Sequence, residues 1–113
     1  MNLLRNRVSL IGNLGADPEI KELEGGKKFA KFSVATAEAF RNQEGELIKN
    51  TQWHKLVAWG PRATFAEKYL KKGFEVAIEG KLNHRTYDDT DGNKKFFTEV
   101  VVTDILMLRT PKA

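Results

Sequence analysis

Apolar and polar positions alternate along most of this chain, and a period of two is the signature of strands. Arg7-Val8-Ser9-Leu10-Ile11 opens a first strand, which Gly12-Asn13-Leu14-Gly15 ends in turn chemistry. Asp17-Pro18 then sets an extended or turn dipeptide, because the residue before proline avoids the helical region. Ile20 to Leu23 reads as a short edge strand closed by Glu24-Gly25-Gly26-Lys27. Lys28 to Phe40 is a long strand with imperfect alternation, a slip that a bulge or strong curvature produces. Arg41 to Glu46 forms a hairpin loop, with Gly45 where a positive φ is expected. Leu47 to Trp59 is the third long strand.

Gly60-Pro61 breaks the sheet, and proline suits the first turn of a helix. Ala63, Phe65, Ala66, Tyr69 and Leu70 recur at helical spacing, so one helix is expected from Pro61 to Lys72. Lys71 and Lys72 would occupy its last turn, and Gly73 would stop it. Phe74, Val76, Ile78, Gly80 and Leu82 alternate with charged or small residues in a half-buried strand that continues to Tyr87. Asp91-Gly92 marks a hairpin before a last strand, Phe96 to Leu108. Five long strands with one helix between the third and fourth suit an all-β, five-stranded Greek-key barrel, the OB-fold, better than a sandwich. The helix would plug one barrel end, and residues 1–113 would form a single domain.

Composition narrows the classes. The chain has no cysteine, which excludes disulfides and thiolate metal sites and suits a reducing cytoplasm. No apolar run approaches the ~20 residues of a membrane span, and Arg5 and Arg7 interrupt any signal-peptide core. A net charge of +4 and a pI near 9.4 give a mild bias toward polyanions. Phosphate loops of the Gly-x-x-x-x-Gly-Lys and Gly-x-Gly-x-x-Gly types are missing, and Gly25-Gly26-Lys27-Lys28 reads as a basic turn. His54 and His84 lack the spacing of a zinc site. Asp88, Asp89 and Asp91 superficially resemble a calcium loop, but the ligand positions would fall on Tyr87 and Thr98, so a solvated hairpin tip is the better reading. No residue set marks catalysis; neither enzyme activity nor a cofactor or metal is expected.

One stretch carries more information than the rest. In Thr51 to Gly60 the two tryptophans lie six residues apart, so Trp53, Lys55, Val57 and Trp59 point one way and His54, Leu56 and Ala58 the other. Buried tryptophans of a β-core would explain the pair, and so would a stacking platform for nucleotide bases. Phe40-Arg41 and Arg85-x-Tyr87 add aromatic-plus-basic pairs near strand ends, which favours the platform. Stacking is worth ~1–3 kcal/mol per base and tolerates any sequence, while Lys and Arg follow the backbone.

Gly12-Asn13-Leu14-Gly15-Ala16-Asp17-Pro18-Glu19 resembles a signature of the bacterial single-stranded DNA-binding proteins. Ala35 to Phe40, Thr51 to His54, Tyr69 to Gly73, Ile78 to Leu82 and Thr98 to Val102 resemble further blocks of that family, in its order. The resemblance spans nearly all of residues 3 to 108. It implies an OB-fold homotetramer wrapped by single strands in replication, repair and recombination, in a bacterial cytoplasm and associated with the nucleoid. The family's stacking aromatics fall on Phe40, Trp53, Trp59 and Tyr87, and its basic contacts on Arg7, Lys55, Lys72 and Arg85. Charge and placement beside the hairpin add Arg41 and Lys49. The resemblance also implies that the first strand, with Val8 and Leu10, pairs across a dimer, and that His54 lies near a subunit contact. Such pairing would remove an exposed sheet edge.

Three departures from the family pattern stand out. Phe40 and Tyr87 replace common tryptophans while Trp59 replaces a common phenylalanine, which shifts the weight of stacking toward the third long strand. Pro61-Arg62 moves a usual cation by one position. After Thr110-Pro111-Lys112-Ala113 no flexible linker and acidic tip follow, as in a core cut from a longer chain or a short paralogue. Recruitment of replication and repair enzymes by such a tip is not expected of this sequence. Two other readings of the residues remain open: an OB-fold protein-interaction or primosome accessory module, and a cold-shock-like RNA binder.

Overall fold

In a computed structural model, residues 4–110 are described. They form β1 (Val8–Leu14), β2 (Glu19–Glu22), β3 (Lys28–Arg41), β4 (Leu47–Trp59), α1 (Pro61–Tyr69), β5 (Glu75–Asp88) and β6 (Lys94–Arg109). The sheet order is β1-β5-β6-β4-β3-β2, and β1 pairs again with β3 at Asn13↔Ala35 and Leu14↔Val34. That second pairing closes the barrel. A short parallel contact, Leu56↔Val100 and Val57↔Val101, joins β4 to β6. The topology is the expected OB-fold. With β2 counted as a strand the helix lies between the fourth and fifth strands; among the five long strands it lies between the third and fourth.

The core follows from the two periodicities. Ala30, Phe32 and Val34 of β3, Leu56 and Ala58 of β4, Val76 and Ile78 of β5, and Val100 and Val102 of β6 recur every second residue and point inward. Ala63, Ala66 and Leu70, at helical spacing, press against them from the barrel end. Burying each of the larger aliphatic side chains contributes about 1.5–3 kcal/mol.

Several boundaries differ from the sequence reading. Gly12 does not begin a turn; β1 runs through it to Leu14. A Cβ there would collide with the Ala35 carbonyl oxygen, so glycine permits the close approach of β1 to β3 that shuts the barrel. The helix ends at Tyr69, leaving Lys71 and Lys72 outside it and Lys68 in its last turn. Long-range bonds explain the early stop. The Lys72 N–H donates to Asp17 Oδ1 at 2.8 Å, and Gly73 N–H donates to the Leu14 carbonyl at 2.9 Å. Leu14 N–H returns to the Phe74 carbonyl, and Asn13 Nδ2 donates to that of Gly73. The Gly12-to-Glu19 block thus clamps the chain as it leaves the helix.

The imperfect alternation of β3 is not a bulge, because its register with β4 is unbroken from Phe29↔Trp59 to Arg41↔Leu47. Phe29 faces outward with Trp59 and is buried beneath it, the ring centroids 5.0 Å apart. Irregularities lie instead in the β5–β6 pairing, at Glu75/Val76 and Glu79/Gly80. Beyond the barrel the β3–β4 and β5–β6 pairs continue as two exposed ribbons. They stretch the molecule to 56 × 41 × 35 Å and a radius of gyration of 16.4 Å, against about 13 Å for a compact chain of this length. Their tips are the same turn. Asn42 Oδ1 accepts from the N–H groups of Glu44 and Glu46, Asp89 Oδ1 from those of Asp91 and Asn93, and Gly45 and Gly92 supply the positive φ.

Candidate nucleic-acid interface

Because β3 and β4 pair antiparallel, directly opposed residues share a face. Trp53, Lys55, Val57 and Trp59 therefore stand with Ala35, Ser33, Lys31 and Phe29 on the outside of the sheet. Trp53 is 60% exposed. Its six-membered ring lies over Gly15, where an added Cβ would fall 2.5 Å from Cζ3. Gly15 is held in that place by its N–H bond to the Ser33 carbonyl. Trp53 forms one wall of a trough of about 500 Å³ that Lys31, Lys55, Phe97, Glu99, Asp17 and Glu19 also line. An adjoining hollow of about 350 Å³ is lined by Lys31, Arg85, Thr86, Tyr87 and Phe97. Tyr87 is 55% exposed. Trp53, Lys55, Arg85 and Tyr87 are thus brought to one surface.

The charges of this surface are partly answered within the protein. Arg85 grips Glu99 with two nitrogens, Nε to Oε1 at 3.0 Å and Nη2 to Oε2 at 3.2 Å, and Asn83 Nδ2 donates to the same carboxylate. Glu99 is 6% exposed, so its carboxylate depends on these donors. The fork fixes the plane of the guanidinium, whose carbon lies 5.4 Å from the centroid of Phe97. Lys55 Nζ approaches the same ring to 5.0 Å. Lys31 and Lys55 form no ion pair among the described residues, and Lys31 Nζ lies 5.6 Å from the Phe29 ring that supports Trp59. Asp17, another lining acid, is occupied by the Lys72 N–H.

Trp59 lies apart from the trough, beside a separate hollow lined by Gly26, Lys27, Lys28, Gly60 and Thr64. Lys28 donates to Glu67 at 2.9 Å and has Glu22 at 3.7 Å. The Glu67 hydrogen bond, opposed by desolvation and assisted by both carboxylate charges, raises its pKa above 10.5. Arg41 and Lys49 are further along the β3–β4 ribbon on the Trp53 side, and Arg41 Nη1 donates to the Gly45 carbonyl. Phe40 is exposed but pairs with Ile48, which places it on the opposite side of that ribbon. Arg7 is not brought to the trough. Its guanidinium pairs with Glu79 at 3.2 Å, beside an outer face where Ile11 and Leu106 are exposed. Val8 and Leu10 pack toward the core, while the backbone of Val8 to Ile11 pairs on one side only, with β5, among the described residues. His54 Nε2 is 2.8 Å from Thr36 Oγ1, on the side opposite the tryptophans.

Sequence reasoning missed four members of this surface: Lys31, Phe97, Glu99 and Gly15. Lys31 was one lysine of an alternating strand, and only its register opposite Val57 puts it beside Lys55. Phe97 had a signal in its parity with Tyr87 and Arg85, but the hairpin register needed to use it is fixed by the Asp89–Asn93 turn. Among the described residues, no group of three or more His, Cys, Asp or Glu side chains could hold a metal ion. No helix of the described residues is long and apolar enough to cross a membrane.

The sequence profile of the Single-strand binding protein family covers residues 5–108. The chain belongs to that family. A family relative, the Single-stranded DNA-binding protein 1 of Chlorobaculum tepidum, is 48% identical over 104 residues, 91% of this chain. The match takes in 64% of that protein's length. Among solved structures, the Plasmodium falciparum SSB complex with ssDNA superposes with a TM-score of 0.84 at 37% identity, covering 92% of this chain and 95% of that one. A deletion mutant of the single-stranded DNA binding protein from Thermus aquaticus gives 0.81 at 30% identity, over 92% of this chain and 50% of its own. Residues 111–113, the end of the Thr110 to Ala113 segment on which the expectation about a tail rested, lie outside the described residues.

Proposed function

We propose that this chain binds single-stranded DNA with little base preference, protecting and organising strands in replication, repair and recombination, and that it does so without catalysis. The observation that carries the reading is the shared surface of Trp53 and Tyr87 with Lys31 and Lys55 between them. Rings stack on any base, and lysines follow the phosphates. Membership of the family and the likeness to a relative solved with ssDNA support it. Trp53, Trp59 and Tyr87 act as stacking positions and Lys55, Lys49, Arg41 and Lys72 as backbone contacts, with Arg85 held back by its pairing to Glu99 and Phe40 reached from the reverse of its ribbon. Arg7 contributes less, being paired with Glu79.

Assembly as a homotetramer belongs to the same proposal. The open backbone edge of β1 offers a ladder to a second copy, and the exposed apolar Ile11 and Leu106 beside it offer area to bury. Contacts at Val8 and Leu10 would then be made through the backbone rather than their inward side chains. A cytoplasmic, nucleoid-associated location accompanies this function.

Titration with oligo-dT should quench the Trp53 and Trp59 emission, and light scattering on the DNA-free protein should give a mass of four chains. Unchanged emission at saturating oligomer would sink the stacking model; a protein-interaction module would leave emission and electrophoretic mobility of the DNA unaltered.

A further inference from the structure

The trough beside Trp53 and the hollow beside Tyr87 have two lining residues in common, Lys31 and Phe97. We propose that Phe97 is itself a nucleotide position, the step that joins the Trp53 and Tyr87 platforms, and that Lys31 holds the phosphate bridging them. The inference rests on the single-stranded DNA reading above and adds two residues to it.

Geometry supports each role. Phe97 opposes Arg85 directly across the β5–β6 ribbon, so Tyr87, two residues on from Arg85, is its diagonal neighbour on the same face. Diagonal neighbours stand roughly 7–8 Å apart, about twice the 3.4 Å rise between stacked bases of one strand. Two successive bases can occupy Phe97 and Tyr87 only when the strand is extended and unstacked, which suits single-stranded and not duplex DNA. Phe97 is half-buried in this groove, and its ring is approached by Lys55 at 5.0 Å and Arg85 at 5.4 Å. A base laid on the ring therefore has cations for its phosphate close by. Arg85 is already committed to Glu99, whereas Lys31 has no carboxylate partner among the described residues. Lys31 is exposed and lines both hollows, so it is the cation free to neutralise the phosphate between them. Among the described residues, no side chain other than Lys31 and Phe97 lines both hollows.

The test uses the full chain and dT oligomers long enough to saturate it. In a Trp53→Phe/Trp59→Phe/Phe97→Trp variant the sole tryptophan reports on position 97, and binding should quench it. Phe97→Leu, which keeps an apolar side chain and loses the ring, should weaken binding about 5- to 150-fold with an unchanged melting temperature. Lys31→Gln should flatten the log–log salt dependence by about 0.7. An unquenched Trp at position 97 overturns the proposal even if Phe97→Leu binds weakly, since the loss would then act through Lys55 and Arg85. Trp53→Ala separates the two levels. If it weakens binding while Phe97→Leu and Lys31→Gln do not, the joining step is wrong and the wider reading stands. If the parent chain fails to bind dT at all, the wider reading fails.

Discussion

Replacing Gly15 by alanine adds a single methyl group, and its consequences can be followed atom by atom. The new Cβ would lie 2.5 Å from Cζ3 and 2.8 Å from Cη2 of Trp53, where ordinary contact is 3.4–4 Å. The ring must therefore retreat by about 1 Å. Gly15 is not among the glycines with positive φ, so the alanine itself meets no backbone strain. Because Trp53 is mostly exposed and sits at the end of two rotatable bonds, the shift is cheap in the free protein. Folding stability should stay within about 0.5 kcal/mol of the parent, or rise slightly because alanine narrows the unfolded ensemble.

Binding is where the methyl group should be felt. A ring displaced from the trough wall keeps part of its ~1–3 kcal/mol of stacking, so a loss of about 1 kcal/mol, roughly fivefold in Kd, is expected. Fluorescence anisotropy with labelled oligo-dT measures the affinity, and a thermal melt measures the stability. The double variant with Trp53→Ala isolates the cause: with the ring gone, Gly15→Ala should cost nothing further. An equal loss in both backgrounds would refute the idea that Gly15 acts by seating Trp53. A fall in melting temperature with unchanged affinity would make Gly15 a purely structural residue.

Other expectations follow from the same contacts. Gly12→Ala puts a Cβ against a backbone oxygen that has no rotamer to escape into, so it should destabilise by at least ~1–3 kcal/mol, seen as a lower urea midpoint at constant m. The salt dependence of dT binding should reflect the proposed contact cations that have no carboxylate partner among the described residues, Lys31, Arg41, Lys49, Lys55 and Lys72, giving a log–log slope of roughly −3.5. A slope near −5 would mean that Arg7 and Arg85 leave Glu79 and Glu99 for phosphate. Lys28 has a pKa raised by Glu67, so the stability this pair contributes is fully present below pH 10.5 and is lost as pH climbs through the raised value. The melting temperatures of the parent and Glu67→Gln should accordingly differ near neutral pH and converge above 10.5. A constant difference across that range would show that Glu67 acts otherwise.

What a sequence can show of such a surface depends on how many chain segments must meet. Trp53, Lys55 and Trp59 lie on one strand, so period-two alternation alone places them on one face. Strand count and the position of the helix are equally local and gave the barrel. The end of the helix is not local: Lys72 is drawn out by Asp17, 55 residues earlier, while its own propensity and the Lys71-Lys72 pair favour continuing. Gly12 and Gly15 sit in what looks like a turn cluster, yet one is needed where two strands cross and the other beneath a ring. Phe97 and Lys31 meet only because a parallel contact near Leu56 and Val100 brings β4 beside β6. Glu99 reads as a surface acid until Arg85 and Asn83 are seen to enclose it.

The position of Phe40 leads to a sharper expectation about the path of the strand. On the β3–β4 ribbon, Trp53 opposes Ala35 and Phe40 opposes Ile48, so the two rings project from opposite sides. Lys49 and Arg41, by contrast, continue the Trp53 side toward the hairpin tip. A strand lying in the trough can run outward along these cations, but to touch Phe40 it must pass around the ribbon. That passage needs nucleotides beyond those that fill the trough. Phe40→Ala should therefore leave the affinity for dT oligomers just long enough to quench Trp53 unchanged. It should weaken binding of longer ones by the ~1–3 kcal/mol of one stacked base. Trp53→Ala should weaken both. A Phe40→Ala loss of equal size at every oligomer length would place both rings on one short stretch of DNA, and the ribbon would then have to twist far enough to bring its two sides to the same groove.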